Sequence, residues 1–226
     1  MKHGKKYRES IKKFDSAVSF ELKEAVTLVK SMAYAKFDET VDLSVKVNLK
    51  KSQSVRDTVV LPNQFRAEKK ILVFCKPEKE KEAQDAGAAF VGADDLIEKV
   101  KGGWTDFDVA VATPDMMKDV GKLGMVLGRK GLMPNPKTGT VTFDLKTALA
   151  ELRKGRTEFR ADKTGVVHLA VGKVSMESEK IAENVQVVVN EIKRKRPSDA
   201  KGDFIQTVSV SSTMGPGVWV AMKDEE

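Results

Sequence analysis

The chain has 226 residues with 40 Lys and Arg against 33 Asp and Glu, and its net charge of +7 suggests a polyanionic partner. One cysteine excludes an intrachain disulfide, and two distant histidines leave no zinc-ligand cluster. There is no apolar run of about 18 residues, and the basic start lacks the apolar core of a secretory signal. We therefore predict a cytoplasmic protein with no membrane span, no metal and no cofactor.

The first third of the chain has the half-exposed pattern of an α+β domain. Residues 1–13 are basic, as in an arm on nucleic acid or a solvated tail. Ser19 is predicted to cap an amphipathic helix that ends near Met32. Apolar and polar residues then alternate over residues 41–49, which predicts a strand with one buried face. Residues 56–61 are predicted to form its partner strand.

The pattern changes near residue 67. Residues 71–75 are uniformly apolar, as expected of a strand that is covered on both faces. Helical and strand patterns then alternate as far as a last helix at residues 145–154, for which Asp144 is a plausible cap. Alternation of this kind predicts a parallel sheet with right-handed crossovers.

The alternating style returns after residue 157. A strand and turn are predicted over residues 159–165, a strand over residues 166–171, and then a long helix capped by Ser175. The last element is a hairpin whose turn carries three hydroxyls, a methionine and Gly-Pro-Gly, over residues 211–217. Short hydroxyls beside exposed backbone suit hydrogen bonds to phosphates and 2′-OH groups. A polar turn that satisfies its own backbone has the same composition.

The simplest domain organisation is an insertion. Both ends of the chain have half-exposed strands with alternating polarity, whereas the middle alternates strands with helices. We predict a discontinuous α+β domain of residues 1–66 and 160–226, with a Rossmann-like α/β domain of residues 67–159 inserted in it. The split domain carries 24 basic and 18 acidic residues, against 16 and 15 in the insert. A polyanion should therefore bind the split domain.

The insert also invites a nucleotide-binding hypothesis, since open α/β sheets bind ligands at strand ends. It contains no G-x-G-x-x-G, and the Walker-like residues 131–138 have Pro136 where the second Gly must be. No catalytic triad or pair of carboxylates stands out, and His168 has no evident partner. The residues favour an RNA-binding structural protein and leave open an α/β enzyme that acts on an anionic nucleotide.

Three long motifs, in order, closely resemble one known family. They lie at residues 127–141, 159–173 and 211–217, and the segments 36–41 and 104–108 are similar too. The family is that of the bacterial large-subunit ribosomal protein number one, which forms the mobile stalk beside the tRNA exit site. The resemblance covers essentially the whole chain.

This resemblance implies a split RNA-binding domain, a Rossmann-like insert and no enzymatic activity. It implies binding to large-subunit rRNA at the stalk of the large ribosomal subunit, contact with exit-site tRNA that helps its movement and release, and repression of translation through the protein's own mRNA. Such a protein is ribosome-associated in the cytoplasm and a monomer when free. The family's RNA surface falls here on Lys36, Phe37, Thr40, Arg160, Asp162, Lys163, Thr164, Gly165, His168, Ser211, Thr213, Met214 and Gly215.

RNA recognition by this surface should depend on shape, through 2′-OH groups and phosphates. Lys36, Arg160 and Lys163 would neutralise phosphates and make binding depend on salt. Phe37 either packs on a base or sugar or supports the protein core. Gly217 departs from the family pattern, in which a Ser or a similar small polar residue is expected.

Overall fold

The computed structural model describes residues 4–49, 55–66, 68–197 and 202–221, apart from the side chain of Lys137. Its helices are α1 (Lys5–Ile11), α2 (Leu22–Met32), α3 (Pro77–Asp85), α4 (Asp94–Lys101), α5 (Met117–Gly121), α6 (Gly124–Arg129), α7 (Leu145–Arg153), α8 (Ser178–Arg194) and short 3-10 turns at Pro114–Met116 and Pro136–Thr138. Its strands are β1 (Ser19–Phe20), β2 (Thr40–Val47), β3 (Arg56–Val60), β4 (Ile71–Phe74), β5 (Phe90–Gly92), β6 (Val109–Ala112), β7 (Arg156–Arg160), β8 (Val166–Lys173), β9 (Ile205–Ser212) and β10 (Gly217–Val220).

The chain divides into two compact units. Unit 1 comprises Met1–Phe65 and Glu158–Glu226, and unit 2 comprises Arg66–Thr157. Each unit has buried apolar clusters of its own. The predicted fold class, α/β with a split α+β part, is confirmed by this mixture of helices with antiparallel and parallel sheets.

Unit 1 is built on a five-stranded sheet with the order β1-β10-β9-β2-β8. Strand β2 lies between β8 and β9 and runs antiparallel to both, and its residues alternate between half-exposed and buried. The buried set of β2 joins the apolar faces of α2 and α8 in one core. Period-two alternation therefore leaves the opposite face of the sheet for polar residues.

Unit 2 contains a three-stranded parallel sheet with the order β5-β4-β6. Leu72 and Phe74 of β4 join one apolar cluster, while Ile71 and Val73 join another. A strand covered on both faces must be apolar throughout, as the sequence predicted. Cys75 is fully buried, and desolvation raises the pKa of its thiol to about 11, so at neutral pH the thiol stays protonated and reacts slowly.

Two predicted helix caps are wrong. Ser19 lies in β1, and α2 begins only at Leu22 with no capping side chain. Ser175 instead donates hydrogen bonds from its backbone N–H and its hydroxyl to the carboxylate of Asp38, and α8 begins later, at Ser178. In both places a serine followed by acidic residues has the composition of a cap but serves another contact.

The predicted pairing of residues 56–61 with the first alternating strand is also wrong. Strand β3 pairs with β7 in a separate two-stranded sheet, and β2 takes β8 and β9 as its neighbours. By contrast, Asp144 caps α7 as predicted, accepting a hydrogen bond of 3.2 Å from the N–H of Thr147. Within the described ranges, none of the helices combines the length and apolarity needed to cross a bilayer.

Candidate nucleic-acid interface

The exposed side of the five-stranded sheet of unit 1 is mostly polar. We define the open face as the side chains of Asp42, Ser44, Lys46, His168, Thr207, Ser209, Ser211 and Trp219. All eight side chains are half-buried or exposed, while residues that alternate with them, such as Leu43, Val45 and Val210, are buried in the core. In the sheet register Ser209, Ser44 and His168 lie side by side, and the Ser44 hydroxyl is 3.0 Å from Nδ1 of His168.

A first group of predicted site residues meets at the Thr40 end of β2. We define the Met214 cluster as Lys36, Phe37, Thr40, Thr213, Met214 and Gly215. Phe37 and Met214 are among the exposed large hydrophobic residues of the chain, at 57% and 48% exposure. The hypothesis that Phe37 supports the core is therefore wrong, and the ring is available to a ligand.

The two segments of the Met214 cluster are held together by a buried carboxylate, that of Glu39. The residue is 1% exposed. Its Oε1 accepts hydrogen bonds from the N–H groups of Tyr34 and Ala35, at 3.0 and 2.8 Å, and its Oε2 accepts one from the N–H of Met214 at 3.1 Å. One side chain thus fixes the loop before β2 against the turn after β9.

Burial alone would raise the pKa of Glu39. The hydrogen bonds from Ala35, the Ser212 side chain, Met214 and Tyr34 outweigh it and hold the pKa below its ordinary value. The carboxylate is therefore ionised at neutral pH, and a charged acceptor makes these bonds stronger than neutral ones.

Further hydrogen bonds fix the turn around Met214. The Tyr34 hydroxyl donates to the carbonyl of Met214 at 2.8 Å. The Thr213 hydroxyl accepts from the N–H of Thr40 at 3.0 Å and donates to the Thr40 carbonyl at 3.2 Å. One acceptor lone pair of that hydroxyl remains for a ligand. A Cβ on Gly215 would lie 2.5 Å from the Ser212 hydroxyl, so the protein itself requires glycine there.

A second group of predicted site residues forms a turn at the other end of β2. We define the Asp162 turn as Asp162, Lys163, Thr164 and Gly165. The Asp162 carboxylate accepts hydrogen bonds of 2.8 Å from the N–H groups of Thr164 and Val166 and also binds the Thr164 hydroxyl. These bonds, with that of Val166 the strongest contribution, lower the pKa of Asp162. Asp162 and Thr164 therefore shape the turn and leave Lys163 exposed.

Gly165 joins this turn to the sheet. Its φ of +78° is in the left-handed region, and a Cβ there would lie 2.7 Å from the carbonyl oxygen of Val47. Its own carbonyl accepts the N–H of Val47 at 2.8 Å. On the open face, the ammonium group of Lys46 donates to the carbonyl of Thr164.

The predicted residues therefore do not form one cluster. Thr40 and Lys46 mark the two ends of β2, and six residues of strand span about 20 Å. Ser211 and His168 lie between these ends on the open face, and Arg160 is exposed at the end of β7 beside the Asp162 turn. A single ligand that touches all of them must be about as wide as a nucleic-acid helix.

Sequence reasoning missed several of these residues. Glu39 and Tyr34 shape the Met214 cluster, and Ser44 and Lys46 lie on the open face. A signal for Glu39 was present, because it has the same parity as the inward residues Val41 to Val47 and is thus a carboxylate aimed at the core. Among the described residues, no group of three His, Cys, Asp or Glu side chains is placed to hold a metal ion.

The fold and this surface define a class: a two-unit α/β protein whose basic, discontinuous unit presents a polar sheet face between two ordered turns. Residues 29–216 match the model of the ribosomal protein L1p/L10e family. The chain belongs to that family, so the predicted resemblance is confirmed. The family consists of structural proteins of the ribosome, so the enzyme hypothesis is wrong and the prediction of a ribosome-associated protein is confirmed.

Relatives from Treponema and Borrelia are similar over nearly their full length. The large ribosomal subunit protein uL1 of Treponema denticola is 69% identical over 223 residues, which is 99% of both chains. The protein of the same name from Treponema pallidum is 62% identical over 226 residues, all of both chains. That of Borrelia hermsii is 59% identical over 217 residues, 96% of this chain and 97% of the relative.

Proposed function

We propose that this chain is a structural protein of the large ribosomal subunit that binds large-subunit rRNA at the mobile stalk, through the open face, the Met214 cluster and the Asp162 turn. By the same family resemblance it contacts exit-site tRNA, helping that tRNA to move and leave, and represses translation by binding its own mRNA. Membership of the ribosomal protein family supports the proposal that the chain is part of the large ribosomal subunit. The surface of unit 1 supports the proposal of an RNA site.

The observation that carries the RNA site is the polar sheet face between two rigid turns. Its hydroxyls, on Ser44, Ser209 and Ser211, can exchange hydrogen bonds with 2′-OH groups and phosphates. The side chains are held on strands rather than on loose loops, so little side-chain freedom is lost on binding. A folded RNA presents riboses and phosphates in a fixed shape, and such a face reads shape more than base edges.

Three exposed basic residues lie at the margins of this face. Lys36 is exposed in the Met214 cluster, and Arg160 and Lys163 are exposed at the Asp162 turn. Each can approach a phosphate from one side while the hydroxyls contact riboses in the middle. Phosphate neutralisation releases counterions, so each such contact adds to the salt dependence of affinity.

The salt dependence supplies the first test. We expect Lys163→Ala to lower the slope of log affinity against log salt by about one unit, because one phosphate contact is lost. Lys23→Ala is the matched control, since Lys23 is equally exposed but lies on α2, on the helical side of the sheet. Filter binding to large-subunit rRNA of Treponema denticola between low and physiological salt measures both slopes. Equal slopes for the two variants would remove Lys163 from the interface.

Repression makes a second prediction, because one surface cannot hold rRNA and mRNA together. An unlabelled transcript of the protein's own mRNA should displace labelled rRNA from the wild-type protein, with a competition curve that reaches zero bound rRNA. Lys163→Ala should lower the affinity for both RNAs by a similar factor, since the same phosphate contact would be lost with each. A ternary complex of protein, rRNA and mRNA in a gel-shift assay would contradict a shared site.

A further inference from the structure

One aromatic side chain on the open face lies outside the hydrophobic core of unit 1. Trp219 in β10 is 43% exposed. Its cross-strand neighbours are Ser19 of β1 and Ser209 of β9, and the residue two positions before it on the same face is Gly217. All three neighbours are small, so they leave part of the indole ring open to a ligand.

The other tryptophan shows what a structural indole looks like in this chain. Trp104 packs against Phe90 and Phe107, with ring centroids 4.9 and 5.7 Å apart. Within the described part of the chain, Trp219 makes no ring contact and its indole N–H has no hydrogen-bond partner. An exposed tryptophan forgoes the large gain that burial of its ring would bring. Its position is therefore explained by a ligand better than by the fold.

Trp219 is continuous with the proposed RNA surface. In the sheet register Ser209 lies between Trp219 and Ser44, and the Ser44 hydroxyl contacts His168. Ser211 is the diagonal neighbour, paired with Gly217. Resting on the proposed rRNA-binding function, we propose that Trp219 stacks on an unpaired base of the bound RNA, beside the ribose and phosphate contacts of the open face.

The surroundings of the ring favour a base over an apolar protein surface. Among the exposed large hydrophobic residues that the structure describes, Trp219 is the one that lies in the five-stranded sheet. Its neighbours carry hydroxyls, which suit a ribose and a phosphate, whereas a protein partner would need a wider apolar patch. Stacking tolerates any base, because each has a π-face, and the indole N–H can donate to a phosphate or 2′-OH group.

The test uses the full chain and large-subunit rRNA of Treponema denticola. Trp219→Ala should weaken binding by about 5- to 100-fold, as loss of one stacked base does, whereas Trp219→Phe should keep most of the affinity. Met125→Ala is the control, since it removes an 80% exposed hydrophobic side chain in unit 2 and should leave affinity unchanged. In a Trp104→Phe variant the single remaining tryptophan is Trp219, and its fluorescence should be quenched by rRNA.

Two results would overturn the stacking proposal: wild-type affinity in Trp219→Ala, or unquenched Trp219 fluorescence in protein saturated with rRNA. Should Trp219→Ala fail to fold, the fluorescence measurement still decides. The proposed rRNA function fails separately, if wild-type protein does not bind rRNA. Wild-type binding with a lowered slope in Lys163→Ala, together with an unaffected Trp219→Ala, would refute the stacking alone.

Discussion

Replacement of Glu39 by glutamine is expected to destabilise unit 1 and to weaken rRNA binding together. The carboxylate accepts the N–H groups of Tyr34, Ala35 and Met214 in a buried position, and the amide of glutamine can replace only part of that acceptor capacity. Each buried donor left without a partner costs about 1–3 kcal/mol. We expect a loss of about 3 kcal/mol in unfolding free energy, measured by urea denaturation, and a drop in affinity because the Met214 cluster loses its shape.

Asp38→Asn is the matched control for this change. Asp38 lies next to Glu39 and also bonds a neighbouring loop, through Ser175, but its carboxylate is exposed. Exposed pairs contribute at most about 1 kcal/mol, so the control should lose far less stability. A Glu39→Gln variant as stable as Asp38→Asn would show that the buried carboxylate does not hold the two segments together.

The pKa of Glu39 gives this effect a direction with pH. The folded-state pKa lies below the ordinary value of 4.5, so the ionised group contributes its full stability above that value. The contribution is lost as the pH falls through the folded-state pKa. The stability difference between wild type and Glu39→Gln should therefore be greatest near neutral pH and shrink as the pH falls below the ordinary value of 4.5.

Local patterns predicted much of the fold. The alternation in β2 and the uniform apolarity of β4 each report on the environment of one strand, and both were interpreted correctly. The change of style near residue 67 lies close to the boundary between Phe65 and Arg66. Strand pairing is not local, however. Residues 56–61 follow β2 in the chain, but β3 pairs with β7, about 100 residues later.

The same limit applies to the candidate site. Motif resemblance named Thr40, Gly165 and Met214 but did not give their positions in space. Only the register of β2 with β8 and β9 places Thr40 and Met214 near one end of β2 and Gly165 near the other. The resemblance also could not separate residues that shape a turn from residues that face a ligand. Asp162 and Thr164 bond one another, whereas Lys163 between them is exposed.

Gly165→Ala is expected to disrupt the Asp162 turn. An alanine at a φ of +78° is strained by about 1–2 kcal/mol, and its Cβ would lie 2.7 Å from the Val47 carbonyl oxygen, which is backbone and cannot rotate away. Relief requires the turn to move and break the hydrogen bond from the Val47 N–H. We expect a total loss of about 2–4 kcal/mol in unfolding free energy and a fall of at least about tenfold in rRNA affinity.

Gly202→Ala separates backbone strain from the steric clash of the added Cβ. Gly202 has a similar φ of +72° in the same unit, but no atom lies within 4 Å of the added Cβ. Gly202→Ala should lose only the strain of about 1–2 kcal/mol and keep its rRNA affinity. Urea denaturation and filter binding on both variants give the comparison. If Gly165→Ala loses stability but binds rRNA like the wild type, the Asp162 turn supports the sheet without touching RNA, and the interface is confined to the Thr40 end of β2.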